Sequence, residues 1–240
     1  MTPKVRLHLD QPLAPGQPLA LDRDQSNYLF AVMRLEVGDA ILAFNRRDGE
    51  WIARVSAASK RGGELVAEVQ TRPVQMPPDL WLMFAPIKKA RTDFIVEKAT
   101  ELGAARIMPV LTEYTNAERI RQDRLQAHAV EATEQCGGTF VPVVEDLQAL
   151  SKVLAAWPAG RQLLWCDEAM VGRSRPLAGL PRGPWAVLIG PEGGFSAAEQ
   201  GRLRALPFVH ALSLGPRILR ADTAAVAALT LWQAQLGDWG

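Results

Sequence analysis

Twice near its C-terminus the chain passes from a strongly apolar stretch through a glycine-containing turn into a helix-forming segment. The first passage is Trp185-Ala186-Val187-Leu188-Ile189 followed by Gly190-Pro191-Glu192-Gly193-Gly194-Phe195. The second is Leu214-Gly215-Pro216-Arg217-Ile218-Leu219-Arg220-Ala221-Asp222-Thr223-Ala224, which leads into an apolar helix. Both have the form of a buried strand, a turn and a helix. In α/β folds such junctions bind ligands, because backbone groups and helix N-termini are left pointing into a crevice. Two of them so close together imply one shared ligand site.

The same alternation runs back through most of the chain. Trp81 to Ala85 reads as a buried strand, and Thr92 to Leu102 as a helix stopped by Gly103. Arg106 to Leu111 reads as a strand, Asp123 to Gln135 as a helix stopped by Gly137-Gly138, and Leu147 to Trp157 as another helix. Gln162 to Cys166 is a strand, Ser196-Ala-Ala-Glu199 is a capping box that opens a helix, His210 to Leu214 is the last strand, and Asp222 to Gln235 the last helix. Alternating strands and helices predict an α/β domain with a mostly parallel sheet and helices on both faces. The proline-rich joint Pro73-Val-Gln-Met-Pro-Pro78 sets the boundary, giving domains of residues 1–72 and 73–240. Before the joint the pattern is β-rich. Ala40 to Phe44 and Trp51 to Val55 flank a turn at Arg46-Arg47-Asp48-Gly49, and Leu65 to Val69 follows a Gly62-Gly63 turn. One helix, from Ser26 to Leu35, carries Tyr28, Leu29, Val32 and Leu35 on one face. Several short strands with one helix predict a small β-barrel.

Charge and composition remove several function classes. Lys plus Arg is 27 against 26 acidic residues, a net charge of +1, so any nucleic-acid surface is a local patch. The two cysteines, Cys136 and Cys166, have no CxxC spacing and the three histidines lie far apart, so neither a zinc site nor a disulfide framework is expected. No P-loop and no GxGxxG occurs. The N-terminus lacks the apolar core of a signal peptide and no apolar run approaches the roughly 18 residues of a membrane span. The expectation is a cytoplasmic protein without a membrane partner or a metal.

The residues that could carry chemistry cluster in three places. Gly193 and Gly194 can adopt positive φ and let a ligand approach the backbone, while Glu192 sets one carboxylate beside them. Arg217 and Arg220 precede the last helix, where a cation opposes the helix dipole. They either face an anion, such as a phosphate or a developing oxyanion, or pair with Glu192 or Asp222. Asp222 or Thr223 caps that helix, and Thr223 can still touch a ligand. Lys88, Lys89 and Arg91 stand at another helix N-terminus; they are either a phosphate cradle or a solvated charge run. In the N-terminal domain Arg34, Arg46, Arg47, Arg54, Lys60 and Arg61 lie among Tyr28, Phe44 and Trp51, a composition compatible with gripping RNA or with an ordinary β surface.

One further order of motifs stands out. Tyr28-Leu29, Arg34-Leu35, Gly38-Asp39, Lys98-Ala-Thr-Glu-Leu-Gly103 and Glu131-Ala-Thr-Glu-Gln-Cys-Gly137 precede the two glycine turns. This arrangement resembles, over nearly the whole chain, the RsmE family of ribosomal RNA uracil-N3 methyltransferases in the SPOUT superfamily. The resemblance implies an N-terminal PUA-like β-barrel for RNA and a C-terminal α/β domain with a deep trefoil knot. It implies S-adenosyl-L-methionine as cofactor, 16S ribosomal RNA of the small subunit as substrate, and a homodimer. It carries the cofactor site over to Gly190, Glu192, Gly193, Leu214, Gly215, Ile218, Leu219 and Arg220, with help from the loop after Leu164-Trp165-Cys166; Gly194 and Thr223 join that site on their own chemistry. From their own charge and position, and not from the resemblance, Arg34, Lys88, Lys89 and Arg91 are expected to contact RNA, and Arg220, Arg217 and Asp222 to act in catalysis. The chain departs from the family pattern at Gly138, where an Arg is frequent, and at Asp222, where Glu is commoner. A non-catalytic RNA-binding module and a methyltransferase acting on another RNA, such as transfer RNA, are the competing readings.

Overall fold

The structure is a computed structural model that describes residues 3–59, 62–116, 119–170, 177 and 179–239. The chain divides into two units: residues 1–76 with 133–141, and residues 77–132 with 142–240.

The N-terminal unit is built on five strands, β1 (Arg6–His8), β2 (Pro18–Leu21), β3 (Ala40–Asn45), β4 (Gly49–Ser59) and β5 (Gly62–Arg72), in the order β1-β3-β4-β5-β2. The β3–β4 hairpin forms as its sequence predicts. Asn45 accepts from the backbone N–H groups of Arg47 and Asp48 at 2.9 and 2.6 Å, an Asx-type closure of the turn. Register shifts between β4 and β5 at Glu50/Trp51, Ile52/Ala53 and Val55/Ala57 add local twist. The sheet therefore curls into a half-barrel around Leu7, Leu19, Leu29, Ile41, Val55 and Leu65, with β1 and β2 as its edges. Lys60 and Arg61 lie outside the described residues.

The expected helix from Ser26 to Leu35 takes a different form. A short helix, α1 (Arg23–Ser26), opens with a capping box between Asp22 and Gln25, and continues as a π-helical turn over Asn27–Val32. The i→i+5 bond from Met33 N–H to the Tyr28 carbonyl widens the turn. Leu29 stays fully buried and Tyr28 and Leu35 pack on the core, but Val32 is rotated out and is 61% exposed.

A buried carboxylate ties this unit together. Glu50 on β4 accepts from Arg6 Nε and Nη2 at 3.0 and 2.9 Å, from Arg72 Nε and Nη2 at 3.0 and 2.6 Å, and from Thr71 Oγ1 at 2.8 Å. The same arginines donate to backbone carbonyls of residues 133–138. Arg6 reaches those of Thr133, Glu134 and Gly138, and Arg72 that of Gly137. These carbonyls end the helix α3 (Gln122–Cys136), which leaves its last acceptors without intrahelical partners.

The C-terminal unit holds a wholly parallel seven-stranded sheet. Its strands are β6 (Leu80–Phe84), β7 (Arg106–Leu111), β8 (Val143–Val144), β9 (Gln148–Ala149), β10 (Gln162–Cys166), β11 (Trp185–Ile189) and β12 (Val209–Leu212). The order is β12-β10-β11-β6-β7-β8, with β9 also on β7. Met83, Trp165, Ala186 and Leu188 pack on one face against α4 (Leu150–Ala155) and α5 (Ala197–Ala205). Leu82, Phe84, Leu164 and Val187, alternate along the same strands, are buried on the other. There α2 (Lys89–Glu101) lies against α6 (Ala221–Gln235), and α6 meets β11. The helix expected from Leu147 to Trp157 is shorter. Gln148 and Ala149 pair with Val110 and Leu111 of β7, so edge pairing takes two residues that local propensity gives to the helix. Trp157 stacks on Phe208 at 5.1 Å instead of continuing that helix.

The capping box of α5 is present in full: Ser196 Oγ accepts from Glu199 N–H at 3.3 Å, and the Glu199 carboxylate accepts from Ser196 N–H at 3.0 Å. Ser196→Ala is predicted to cost about 1 kcal/mol in urea unfolding; an unchanged midpoint would contradict this reading.

Candidate functional site

Strand order reverses between β6 and β11: the chain leaves β6 for β7 on one side and leaves β11 for β12 on the other. A crevice opens at the carboxyl ends of parallel strands at such a point. A cavity of about 490 Å³ occupies it, within the range of small-molecule sites. Lys88 and Arg91 reach it from the β6–α2 junction, and Cys166, Asp167 and Glu168 from the end of β10. Gly190, Pro191, Glu192 and Gly194 reach it after β11. Leu214, Arg217, Ile218, Leu219 and Arg220 reach it after β12. The two glycine turns singled out in the sequence thus form walls of one cavity.

Several expected residues stand apart from that wall. Gly193, Gly215, Asp222, Thr223 and Lys89 do not line the cavity. Of the paired glycines, Gly194 takes the positive φ, 71°, while Gly193 faces Tyr114. The positive φ favours glycine at position 194; the exposed Glu168 carboxylate, where a Cβ would project, is the end of a flexible side chain that can move aside. Arg34 is exposed in the N-terminal unit, with φ of 58°. The N-cap of α6 is Arg220, without a side-chain cap bond, rather than Asp222 or Thr223. Asp222 lies one residue inside the helix, where its Oδ1 accepts from Thr223 N–H at 2.8 Å.

The charges are arranged differently from any pairing the sequence suggests. Arg91 Nη1 donates to Glu192 Oε1 at 2.7 Å, and Arg91 Nε lies 3.6 Å from Asp222 Oδ2. The carboxylates offered as partners for Arg217 and Arg220 are taken by Arg91. Among the described residues the Arg217 and Arg220 guanidiniums have no ion-pair partner. Asp167 is buried and held by Arg204 at 3.1 Å. Asp167 and Glu168 escaped residue-level notice in the sequence because no glycine marks their turn; the polar pair directly after the apolar run of β10 was the available signal.

Burial pushes the Cys166 thiol up to about 12, which disfavours the thiolate that a nucleophile needs. Among the described residues no three His, Cys, Asp or Glu side chains group as metal ligands would, and no helix is long and apolar enough to cross a membrane.

Known proteins agree with this layout. The family model described as an RNA methyltransferase domain matches residues 74–233, and that of an RNA methyltransferase PUA domain matches residues 21–68. The ribosomal RNA small subunit methyltransferase E of Synechocystis is 30% identical, over 91% of this chain and 73% of its own length. The chain belongs to the ribosomal RNA small subunit methyltransferase E family. The Rickettsia conorii member is 28% identical over 93% of both chains. The family member from Neisseria gonorrhoeae, solved bound to S-adenosyl methionine, superposes with a TM-score of 0.87 at 28% identity, covering 98% of this chain and 99% of the other. A methyltransferase from Legionella pneumophila in complex with the same cofactor also gives 0.87 at 28% identity, covering 96% and 97%. The half-barrel is the PUA-like part of this family's architecture and the parallel sheet its methyltransferase domain.

Proposed function

We propose that the chain methylates N3 of a uridine in 16S ribosomal RNA, with S-adenosyl-L-methionine held in the cavity between the β11 and β12 loops. The observation that carries this is the convergence of both glycine turns on one cavity of about 490 Å³ at the switch point of the sheet. The residues present suit the cofactor: glycine backbone for close approach, apolar Leu214, Ile218 and Leu219, and carboxylates for its cationic groups. Gly190, Glu192 and Gly194 would hold it from one loop, and Leu214, Ile218, Leu219 and Arg220 from the other. Gly193, Gly215 and Thr223, off the cavity wall, would shape those loops. Bound there, it supplies an electrophilic methyl group.

The protein's own task is to present the base and manage its charge. N3 lies on the pairing edge, so the uridine must be unpaired or flipped out. Loss of the N3 proton spreads negative charge onto O2 and O4. Arg217 and Arg220, cationic, exposed and without ion-pair partners among the described residues, are assigned to that charge. Asp222, which lies 3.6 Å from Arg91, is the carboxylate assigned to receive that proton. Lys88 and Lys89, both exposed, are assigned to RNA phosphates in the C-terminal unit, and Arg34 to RNA in the N-terminal one. Arg91, expected beside the two lysines, is engaged by carboxylates instead. Leu231 on α6 and Phe94 on α2 are large apolar side chains left 38% and 39% exposed, which supports a homodimer. An rRNA substrate makes the cytoplasm the site of action, and the trefoil knot belongs to the same reading.

The test is to incubate the protein with methyl-labelled cofactor and unmethylated small-subunit RNA or small subunits, then map the modified nucleotide. N3-methyluridine at one position of the small-subunit RNA is expected. Label confined to transfer RNA, or no label at all, would overturn the proposal.

A further inference from the structure

We infer that Arg91 is a positioning residue: one guanidinium braces both cofactor loops against the start of α2. This rests on the cavity being the cofactor site. Arg91 lies in the first turn of α2, where a cation is disfavoured by the helix dipole and where the N-cap, Lys88, makes no side-chain cap bond. Its position needs a compensating anion, and two are supplied from distant parts of the chain. Glu192, in the turn after β11, accepts from Nη1 at 2.7 Å. Asp222, in the first turn of α6 after the β12 loop, faces Nε at 3.6 Å. The Asp222 carboxylate is itself oriented by Thr223 N–H, at 2.8 Å. Three segments therefore meet on one side chain, and the two loops that wall the cavity are tied to each other through it.

Arginine suits this role because its planar fork donates one N–H to Glu192 while its delocalised charge reaches Asp222 from another nitrogen, whereas a lysine ammonium is a single point of charge. Besides any contact that Glu192 makes itself, its pairing with Arg91 fixes the turn whose backbone lines the cavity. The competing assignment is that Arg91 binds an RNA phosphate. The two differ in what they disturb: a brace affects cofactor binding, a phosphate contact affects RNA binding and its salt dependence.

The experiment is calorimetry of the full chain with S-adenosyl-L-methionine, for wild type, R91A, R91K, E192Q, the R91A/E192Q double variant and G194V, alongside steady-state KM for RNA. R91A and E192Q should each weaken cofactor binding roughly three- to tenfold, the scale of a part-exposed ion-pair network. The double variant should bind within about twofold of the weaker single one, because both remove the same tie. R91K should recover part of the loss, and KM for RNA should stay at the wild-type value. If R91A does not fold, R91K and E192Q carry the comparison. Unchanged cofactor affinity in R91A with binding lost in G194V overturns the brace alone. Multiplying effects in the double variant, or a rise in KM for RNA with cofactor affinity intact, also overturns it. Unchanged affinity in both R91A and G194V overturns the cavity reading and the brace with it.

Discussion

Replacing Arg217 or Arg220 by alanine should slow methyl transfer by about 10²-fold in each case, with cofactor affinity changed only a few-fold. The argument is electrostatic. Both side chains precede α6, whose N-terminus carries partial positive charge and whose N-cap, Arg220, makes no side-chain cap bond. Glu192 and Asp222, which could have neutralised them, are occupied by Arg91. Two cations kept at the rim of the cavity without carboxylates, against the dipole, are placed to meet an anion that arrives with the substrate. The charge they would meet exists fully only once the N3 proton has gone, so their loss should appear in turnover and not in ground-state binding. Single-turnover rates measured beside calorimetric cofactor affinities separate the two effects. Unchanged turnover in both variants would contradict the assignment.

Glu50→Ala should destabilise the N-terminal unit by about 3 kcal/mol at neutral pH, because it leaves the largely buried Arg6 guanidinium without its counter-charge. The lower end of the usual range applies, since Arg72, the second partner, is 46% exposed and can turn to water. The loss extends to the carbonyls at the end of α3, which Arg6 and Arg72 serve while held by Glu50. Burial by itself pushes the Glu50 carboxyl up, but hydrogen bonds from Arg72, Thr71 and Arg6 outweigh it and hold the group below the usual carboxylate range. A carboxyl depressed in the folded state stabilises fully above the ordinary carboxylate range, and that contribution disappears as pH falls through its lowered value. Urea unfolding of wild type and variant from neutral to acid pH should show a gap that closes in acid. A gap independent of pH, or none at neutral pH, would contradict the account.

The parts of this molecule that were legible in the sequence are those whose signal is local. The runs Trp81 to Ala85, Leu163 to Cys166 and Trp185 to Ile189 are apolar without interruption, as strands buried on both faces must be. Ser196 and Glu199 are spaced for reciprocal capping, and they cap. The first glycine turn follows its strand directly, and the second begins two residues after β12, which ends at Leu212 and not at the expected Leu214, so both lie at the carboxyl ends of a parallel sheet as the sequence indicates. What could not be read depends on distant partners. Residues 148 and 149 become strand because β7 offers them an edge. Val32 leaves the buried face because the turn beneath it is π-helical, and its apolar periodicity fits an α-helix just as well. The ion pair of Arg91 and Glu192 joins residues 101 apart, and no spacing in the chain announces it. Asp167 is legible as a polar residue after a strand, but its burial under Arg204 is a product of packing.

The central claim is that the turns after β11 and β12 jointly enclose the methyl donor. A crystal structure of this protein grown with S-adenosyl-L-methionine or its demethylated product tests it most directly. The account predicts the ligand in the cavity walled by Gly190, Gly194, Leu214 and Leu219, with the Arg91–Glu192 pair intact beside it. Ligand density elsewhere on the chain, with that cavity filled only by water, would contradict it.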